Sequence, residues 1–300
     1  MKNHLPDLKK LPYGGASAII DPGIDYIVAQ SIVSAANTGC LNSAEIQNTF
    51  VEAYFHWLQQ SHYNNLKNLD QFKILSFSNG TTEGFDNFYI NHKNHRFRIL
   101  RGEYMYHAAT WKDRFRWAYI DQDDLQTGDA VIISMPFSDT GNQHPQTNEI
   151  LDICESLKIP VLIDCAFIGI CAGISFDFGH PAITDITFSL SKTLPVANLR
   201  IGIRCRRQDN DDGMLILHKT NYTNRLSAAV GLDLLQKFNQ DYNYQRWKSK
   251  QLEFCSKLGV DPSASVIFGI GDSRWESYNR GNTTNRLCFS KYFIQGLPGD

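Results

Sequence analysis

The chain has 300 residues, enough to bury a sizeable core in one large or two modest domains, and carries 29 basic against 31 acidic side chains for a net charge of −2. That balance excludes the electrostatic footprint of a nucleic-acid-binding surface, and the one concentrated basic tract, Arg204, Arg206 and Arg207, is too short to supply it. Seven cysteines with no CxxC pair, an N-terminus without an apolar leader and the lack of any membrane-length apolar run predict a reduced, cytoplasmic protein that enters no membrane.

In chain order, residues 1–25 are rich in Pro and Gly and read as an irregular arm, followed by helical character over 26–36. Ser43 reads as the N-cap of a helix to residue 60, with Ile46, Phe50, Val51, Tyr54, Phe55 and Leu58 at helical spacing. A polar connector, 61–71, leads to a strand at 72–77, and Gly80-Thr81-Thr82 opens a helix. Strands follow at 96–100, 129–135 and 159–163, separated by the aromatic-rich segment 103–119 and a helix at 145–157. Two more strands are expected at 186–190 and 199–203, the second beginning around Arg200. Cys165, Cys171 and Cys205, in or near these apolar runs, read as buried, inert thiols.

Strands alternating with helices argue for an α/β domain on a mostly parallel sheet, and such sheets bind ligands beyond the carboxyl ends of their strands. After Arg207 a polar loop at 208–213 precedes helices at 223–239 and 244–258 and strands at 262–269 and 286–289, the pattern of a smaller α+β domain. The expected division is an N-terminal arm and helix at 1–40, a large domain at 41–207 and a small C-terminal domain at 208–300.

The chemistry concentrates where strands end. Lys192 follows the strand 186–190 among the hydroxyls Ser189, Ser191 and Thr193. A lysine at the mouth of a buried strand has a lowered pKa and serves as an amine nucleophile toward a carbonyl; a solvated loop lysine reads equally well from this stretch alone. Gly80-Thr81-Thr82 offers free backbone N–H groups to a phosphate, or is an ordinary capped helix start, and lacks both the GxGxxG and GxxxxGK[ST] spacings. Tyr104 places a ring near the same face, where core packing is the simpler reading. Asp164 directly follows Val161, Leu162 and Ile163, and a carboxylate there needs a cation or donors.

A phosphate loop, an aromatic ring, a strand-end Asp, an SxSK lysine and an arginine eight residues further on resemble the fold type I pyridoxal-phosphate enzymes of the aspartate aminotransferase-like superfamily. The resemblance covers 72–204, and the C-terminal segment more loosely. It implies a mixed, mostly parallel seven-stranded sheet sandwiched by helices, pyridoxal 5′-phosphate as cofactor, and an aminotransferase acting as a homodimer on an α-amino acid and a keto acid. By the same resemblance, Lys192 forms the Schiff base, Asp164 pairs with the pyridine nitrogen, and Tyr104 stacks on the ring. Gly80, Thr81, Thr82, Ser189 and Arg200 form the phosphate cradle, and Arg286 binds the substrate carboxylate, with Arg274 and Arg280 close by in sequence. From the residues themselves, Gly14-Gly15 either lets backbone approach a substrate or forms a flexible turn, the simpler reading.

Two positions depart from the pattern. Ser138, in MPFSDTGN, stands where the family carries an Asn, and Phe167 where it commonly carries a Tyr, both donors to the cofactor's 3′-oxygen. Their loss shifts the expected protonation of the bound cofactor and opens elimination, decarboxylation, oxidation or non-catalytic binding as alternatives to transamination.

Overall fold

The computed structural model describes residues 15–282 and 284–298; Gly14 and the rest of the arm before it lie outside the described residues. Helix α1 (Pro22–Asn37) starts with proline at its first position and Asp21 as cap, its carboxylate accepting from the Gly23 amide at 2.9 Å. Helix α2 (Ile46–Leu58) buries Phe50, Val51, Tyr54 and Leu58 as its spacing predicts. Its cap is Glu45 and not Ser43, whose hydroxyl accepts instead from the Glu45 amide at 3.3 Å. The serine closes a local turn before the helix, a use of Ser that competes with capping.

The connector 61–71 contains a strand that its polarity hid. Strand β1 (Asn65–Lys67) is followed by β2 (Ile74–Ser78), α3 (Thr81–Asn91), β3 (Arg96–Ile99), α4 (Tyr106–Trp111), β4 (Trp117–Tyr119), β5 (Asp129–Ser134), α5 (Thr147–Ser156) and β6 (Val161–Asp164). Next come β7 (Ser175–Asp177), which pairs in parallel with β1, then β8 (Ile183–Ser189) and β9 (Gly202–Arg206). The main sheet has seven strands in the order β2-β9-β8-β6-β5-β3-β4, all parallel except β9, which runs antiparallel to both neighbours. This is the mixed, mostly parallel α/β sheet expected from the alternation.

Strand β9 begins later than its apolar run suggested. The ladder opens where Gly202 pairs with both Ser78 and Ser189. Arg200 lies ahead of it in a left-handed conformation (φ 56°, ψ 61°), after one tight turn at Ala197–Leu199. Two further residues of the basic tract point into the fold. Arg204 is 1% exposed and meets Asp212 at 2.6 Å, and Arg206 meets Asp185 at 2.9 Å, so these charges are spent on internal pairs.

Beyond β9 the chain forms α6 (Gly213–Lys219), which was missing from the sequence reading, then α7 (Arg225–Lys237) and α8 (Tyr242–Leu258). A three-stranded antiparallel sheet follows, made of β10 (Asp261–Pro262), β11 (Phe268–Gly271) and β12 (Asn285–Cys288), and then α9 (Tyr292–Gln295). The expected strand over 262–269 is interrupted, because 263–267 turns back against the loop after β5. There Asn142 accepts from the Ala264 amide at 2.7 Å and Ser263 donates to the Thr140 carbonyl at 2.6 Å. This clasp carries β12 toward the carboxyl edge of the main sheet.

The aromatic-rich segment buries Trp111 and packs Tyr104, Tyr106, Phe115, Trp117 and Tyr119, all partly buried, around an aromatic core. Phe85, Phe88, Tyr89, Phe97 and Trp111 pack on one face of the sheet, with Phe97 and Trp111 stacked at 5.1 Å. Helix α3 approaches β8 at Gly84, where an added Cβ would lie 2.3 Å from Cγ2 of Thr187. Gly84→Ala is therefore expected to destabilise the fold by about 1–3 kcal/mol in urea denaturation, the cost of overpacking a tight contact. Thr187→Ala in the same chain is expected to restore most of that loss; an additive double variant would place the strain elsewhere.

Candidate active site

The carboxyl ends of β2, β5, β6 and β8 lie side by side, since Ser134 is in register with Asp164, Asp164 with Thr187, and both Ser78 and Ser189 with Gly202. A cavity of about 260 Å³ opens at this edge. Thr81, Thr82, Tyr104, Ser138, Asp164, Phe167, Ser189, Lys192, Arg200, Arg286 and Gly15, all singled out in the sequence, line it. Gly80 does not line it but sits directly beneath Arg200.

That contact shapes one end of the cavity. Gly80 caps α3 at φ 75°, and a Cβ there would fall 2.4 Å from Nη2 of Arg200. The same Nη2 donates to the Asn79 carbonyl at 3.0 Å and to the Thr82 hydroxyl at 2.9 Å. The Glu83 carboxylate holds the loop by accepting from the Asn79 amide at 2.5 Å. A guanidinium, two threonines and the free amides of an eleven-residue helix thus converge, and both the donors and the helix dipole favour an anion. At the neighbouring strand end the Ser189 hydroxyl accepts from the Ser191 amide at 3.0 Å.

The middle of the cavity holds Lys192 and Asp164. The lysine is mostly buried and donates through Nζ to the Ala16 carbonyl at 2.8 Å. Burial pushes its pKa below the usual lysine range, and Arg200 and Arg286 push it further down, while Cys288 and Asp164 act the other way. Burial drives the Asp164 carboxyl up to about 7, against the Ala166 amide at 3.0 Å and the charge of Lys192, which hold it down. Glu103, one layer deeper, is likewise raised to about 7 by burial. Its carboxylate accepts from the amide of Ser134 at 2.8 Å and from that residue's hydroxyl. Tyr104 follows Glu103, its ring stacked on Tyr106 with centroids 5.9 Å apart and edge-on to His107.

The far wall comes from the C-terminal segment. Arg286, on β12, is buried over the Phe268 ring at 4.2 Å and donates to the Ser138 carbonyl. Burial and the nearby charge of Arg280 lower its pKa to about 9. Phe167 packs edge-on against the same Phe268, with centroids 5.4 Å apart. Arg274, near in sequence, is exposed and pairs with Asp272 at 2.9 Å, away from the cavity.

Sequence reasoning named Arg280 only as a neighbour of Arg286 and missed Ser134 and Ala16; all three are on the cavity. Ser134 was legible in principle as the last residue of β5. Arg280 and Ala16 lie in irregular segments with no periodic signal.

The fold and this cavity define a pyridoxal-phosphate-dependent enzyme of fold type I. The sequence profile of the aminotransferase class I and II family matches residues 87–260, and the chain belongs to that family. Its cofactor is pyridoxal 5′-phosphate. An aminotransferase from Mycobacterium tuberculosis superposes with TM-score 0.65 at 14% identity, over 98% of this chain and 86% of that one. A pyridoxal-phosphate-bound C-S lyase from Staphylococcus hominis gives 0.64 at 13% identity, over 88% and 83%. A tyrosine aminotransferase from Leishmania infantum gives 0.62 at 14% identity, over 91% and 90%. At these identities the likeness speaks for the fold. No curated protein matches the chain at the level of sequence.

The residues present fit the cofactor. The cradle beside Gly80, where a Cβ would displace the Arg200 guanidinium, has the donors for a phosphate, and Asp164 is a buried carboxylate suited to a protonated ring nitrogen.

The buried carboxyls predict a pH dependence. Burial raises Glu103 from the usual 4.5 to about 7, so between those values the folded state holds a proton that the unfolded chain releases. Its contribution to stability is complete below about pH 4.5 and is lost as pH rises through about 7. Denaturation of cofactor-free protein is expected to show the gap between Glu103→Gln and wild type moving in favour of the variant, by up to about 3 kcal/mol between pH 4.5 and 7.5. A pH-independent gap would mean that Glu103 titrates normally.

Proposed function

We propose that the protein transfers the amino group of an α-amino acid to a keto acid, with Lys192 as the residue that bonds the cofactor and moves the substrate's Cα proton. The observation that carries this reading is the meeting of Lys192 and Asp164, from separate strand ends, between an anion cradle at Arg200 and a buried arginine at Arg286.

Pyridoxal phosphate supplies an electron sink, deep only while its ring nitrogen stays protonated. Asp164 would hold that proton by Coulombic attraction, and the bound cation would in turn draw the carboxyl's raised pKa back down. Arg200, Thr81, Thr82, Gly80 and Ser189 would hold the phosphate, Arg200 with the planar fork that a lysine lacks. Tyr104 would cover the ring. Arg286 would take the substrate carboxylate, its desolvated guanidinium strengthening that bond. Lys192, with its pKa lowered by burial, reaches the neutral state that a nucleophile and general base needs. Gly15 and Ala16 close the cavity from the N-terminal side, where the Ala16 carbonyl steers the amine.

A second reading, elimination with release of ammonia, draws support from Phe167. Its ring is held against Phe268 and offers no hydroxyl to the cofactor, and Ser138 is the hydroxyl on that side of the cavity. The active unit in this proposal is a cytoplasmic homodimer. Unpaired thiols at all seven cysteines support a reducing compartment, and the dimer follows from the family resemblance. Among the described residues no helix is long and apolar enough to cross a membrane.

Borohydride treatment of cofactor-loaded protein is expected to leave a stable adduct on the peptide containing Lys192, absent in Lys192→Ala, whose amino-transfer rate is expected to fall at least about 10³-fold. Transfer requires a keto acid acceptor, whereas elimination frees ammonia without one, so an ammonia assay without acceptor separates the two readings. Sedimentation equilibrium is expected to give twice the chain mass of 34.1 kDa; a monomer at micromolar concentration would remove the dimer from the proposal.

A further inference from the structure

The cavity holds one guanidinium more than the proposed reaction uses. Arg200 belongs to the phosphate end and Arg286 to the substrate carboxylate, which leaves Arg280. It sits in the turn between the tight helix Ser273–Tyr278 and β12, and its side chain is 9% exposed. Nη1 donates to the Ser138 carbonyl at 3.2 Å, the same oxygen that accepts from Arg286. Two donors on one oxygen lie within about twice a hydrogen-bond length of each other, or about 6 Å. Both arginines line the cavity.

Arg280 is not satisfied by the protein around it. Its Nε is buried and has no hydrogen-bond partner among the described residues. The carboxylate of Asp139 stays 3.8 Å from Nη1, beyond hydrogen-bond reach, and its other oxygen accepts from Asn282 at 3.0 Å. A mostly buried guanidinium that lines the cavity, with its nearest carboxylate beyond hydrogen-bond reach, keeps donor capacity for an anionic ligand. Burial lowers its pKa, and Asp139, Glu103 and Tyr104 pull the other way, so a further anion would be favourable there.

We propose that Arg280 binds a second carboxylate, at the end of the substrate's side chain, so that the amino acid this enzyme takes is a short dicarboxylic one. The inference rests on the reading that Arg286 holds the α-carboxylate. Size agrees with it: about 260 Å³, shared with the cofactor, is small beside the ~300–1,000 Å³ of most small-molecule sites. Carboxylates joined by three or four C–C bonds of ~1.5 Å stand about 4–5 Å apart, which falls within the ~6 Å that bounds the separation of the two donors. Arg280 therefore acts as the specificity-determining residue, because a site built to pair a buried charge rejects an analogue that lacks it.

Calorimetric titration of the cofactor-loaded protein tests this with acids that carry no amino group: succinate and glutarate against butyrate and valerate. The diacids are expected to bind at least about tenfold more tightly. Arg280→Gln is expected to weaken diacid binding about ten- to a hundredfold and monoacid binding less than about threefold, with Arg280→Lys in between. Equal affinity of wild type for the two classes would overturn the proposal, and so would a variant that loses both classes equally, since Arg280 would then share the α-carboxylate or merely brace Ser138. Should the variants not fold, the wild-type comparison decides alone. Amino transfer from monocarboxylic substrates only would overturn this inference and leave the proposed reaction standing. A protein that never fixes cofactor on Lys192 would overturn both.

Discussion

Arg200 lies across the start of α3, and that crossing ties the site together. Its guanidinium rests on Gly80, binds the Asn79 carbonyl and the Thr82 hydroxyl, and so fixes the helix N-terminus against the loop that carries Lys192. Only a residue without Cβ leaves room for it at position 80. The antiparallel insertion of β9 makes the crossing possible, because it starts at Gly202 between the ends of β2 and β8, two residues after Arg200. Strand order, helix approach and anion cradle are consequences of one packing arrangement.

A second constraint is the low dielectric at the sheet's carboxyl edge. Burial raises Asp164 and Glu103 to about 7 and lowers Lys192 and Arg286, so each group stands nearer its neutral form than it would in water. Such groups answer strongly to a bound charge: a cationic ring would restore Asp164 to its anion, and a carboxylate would restore the guanidinium. The cavity is arranged to be completed by its ligands, at a cost in stability when they are absent.

Much of the fold was legible because buried strands and amphipathic helices leave periodic traces. Strands β5 and β6 carry continuous apolar runs, β8 intersperses its apolar residues with threonine and aspartate, and α2 repeats its apolar residues at helical spacing. What failed to read was short or polar. Strands β1 and β7 are three residues each and pair only with each other, and α6 follows a loop rich in aspartate. Ser43 and Arg200 were misplaced by a residue or two, since hydrogen bonds to neighbours distant in sequence, or competing local ones, decide where an element begins.

At the site, the sequence alone settled which residue types follow each strand end: Gly80 with two threonines, Asp164 behind three aliphatics, and Lys192 eight residues before Arg200. Connectivity alone puts such residues at one edge of a parallel sheet, because every right-handed crossover returns the chain in the same direction. The tertiary structure decided what periodicity cannot carry. It separated Arg286 and Arg280, which line the cavity, from Arg274, which faces solvent, and it turned Arg204 and Arg206 inward to Asp212 and Asp185. The reason is physical: an arginine's role depends on where its long side chain ends and what it meets there, and irregular segments leave that to packing across the whole chain.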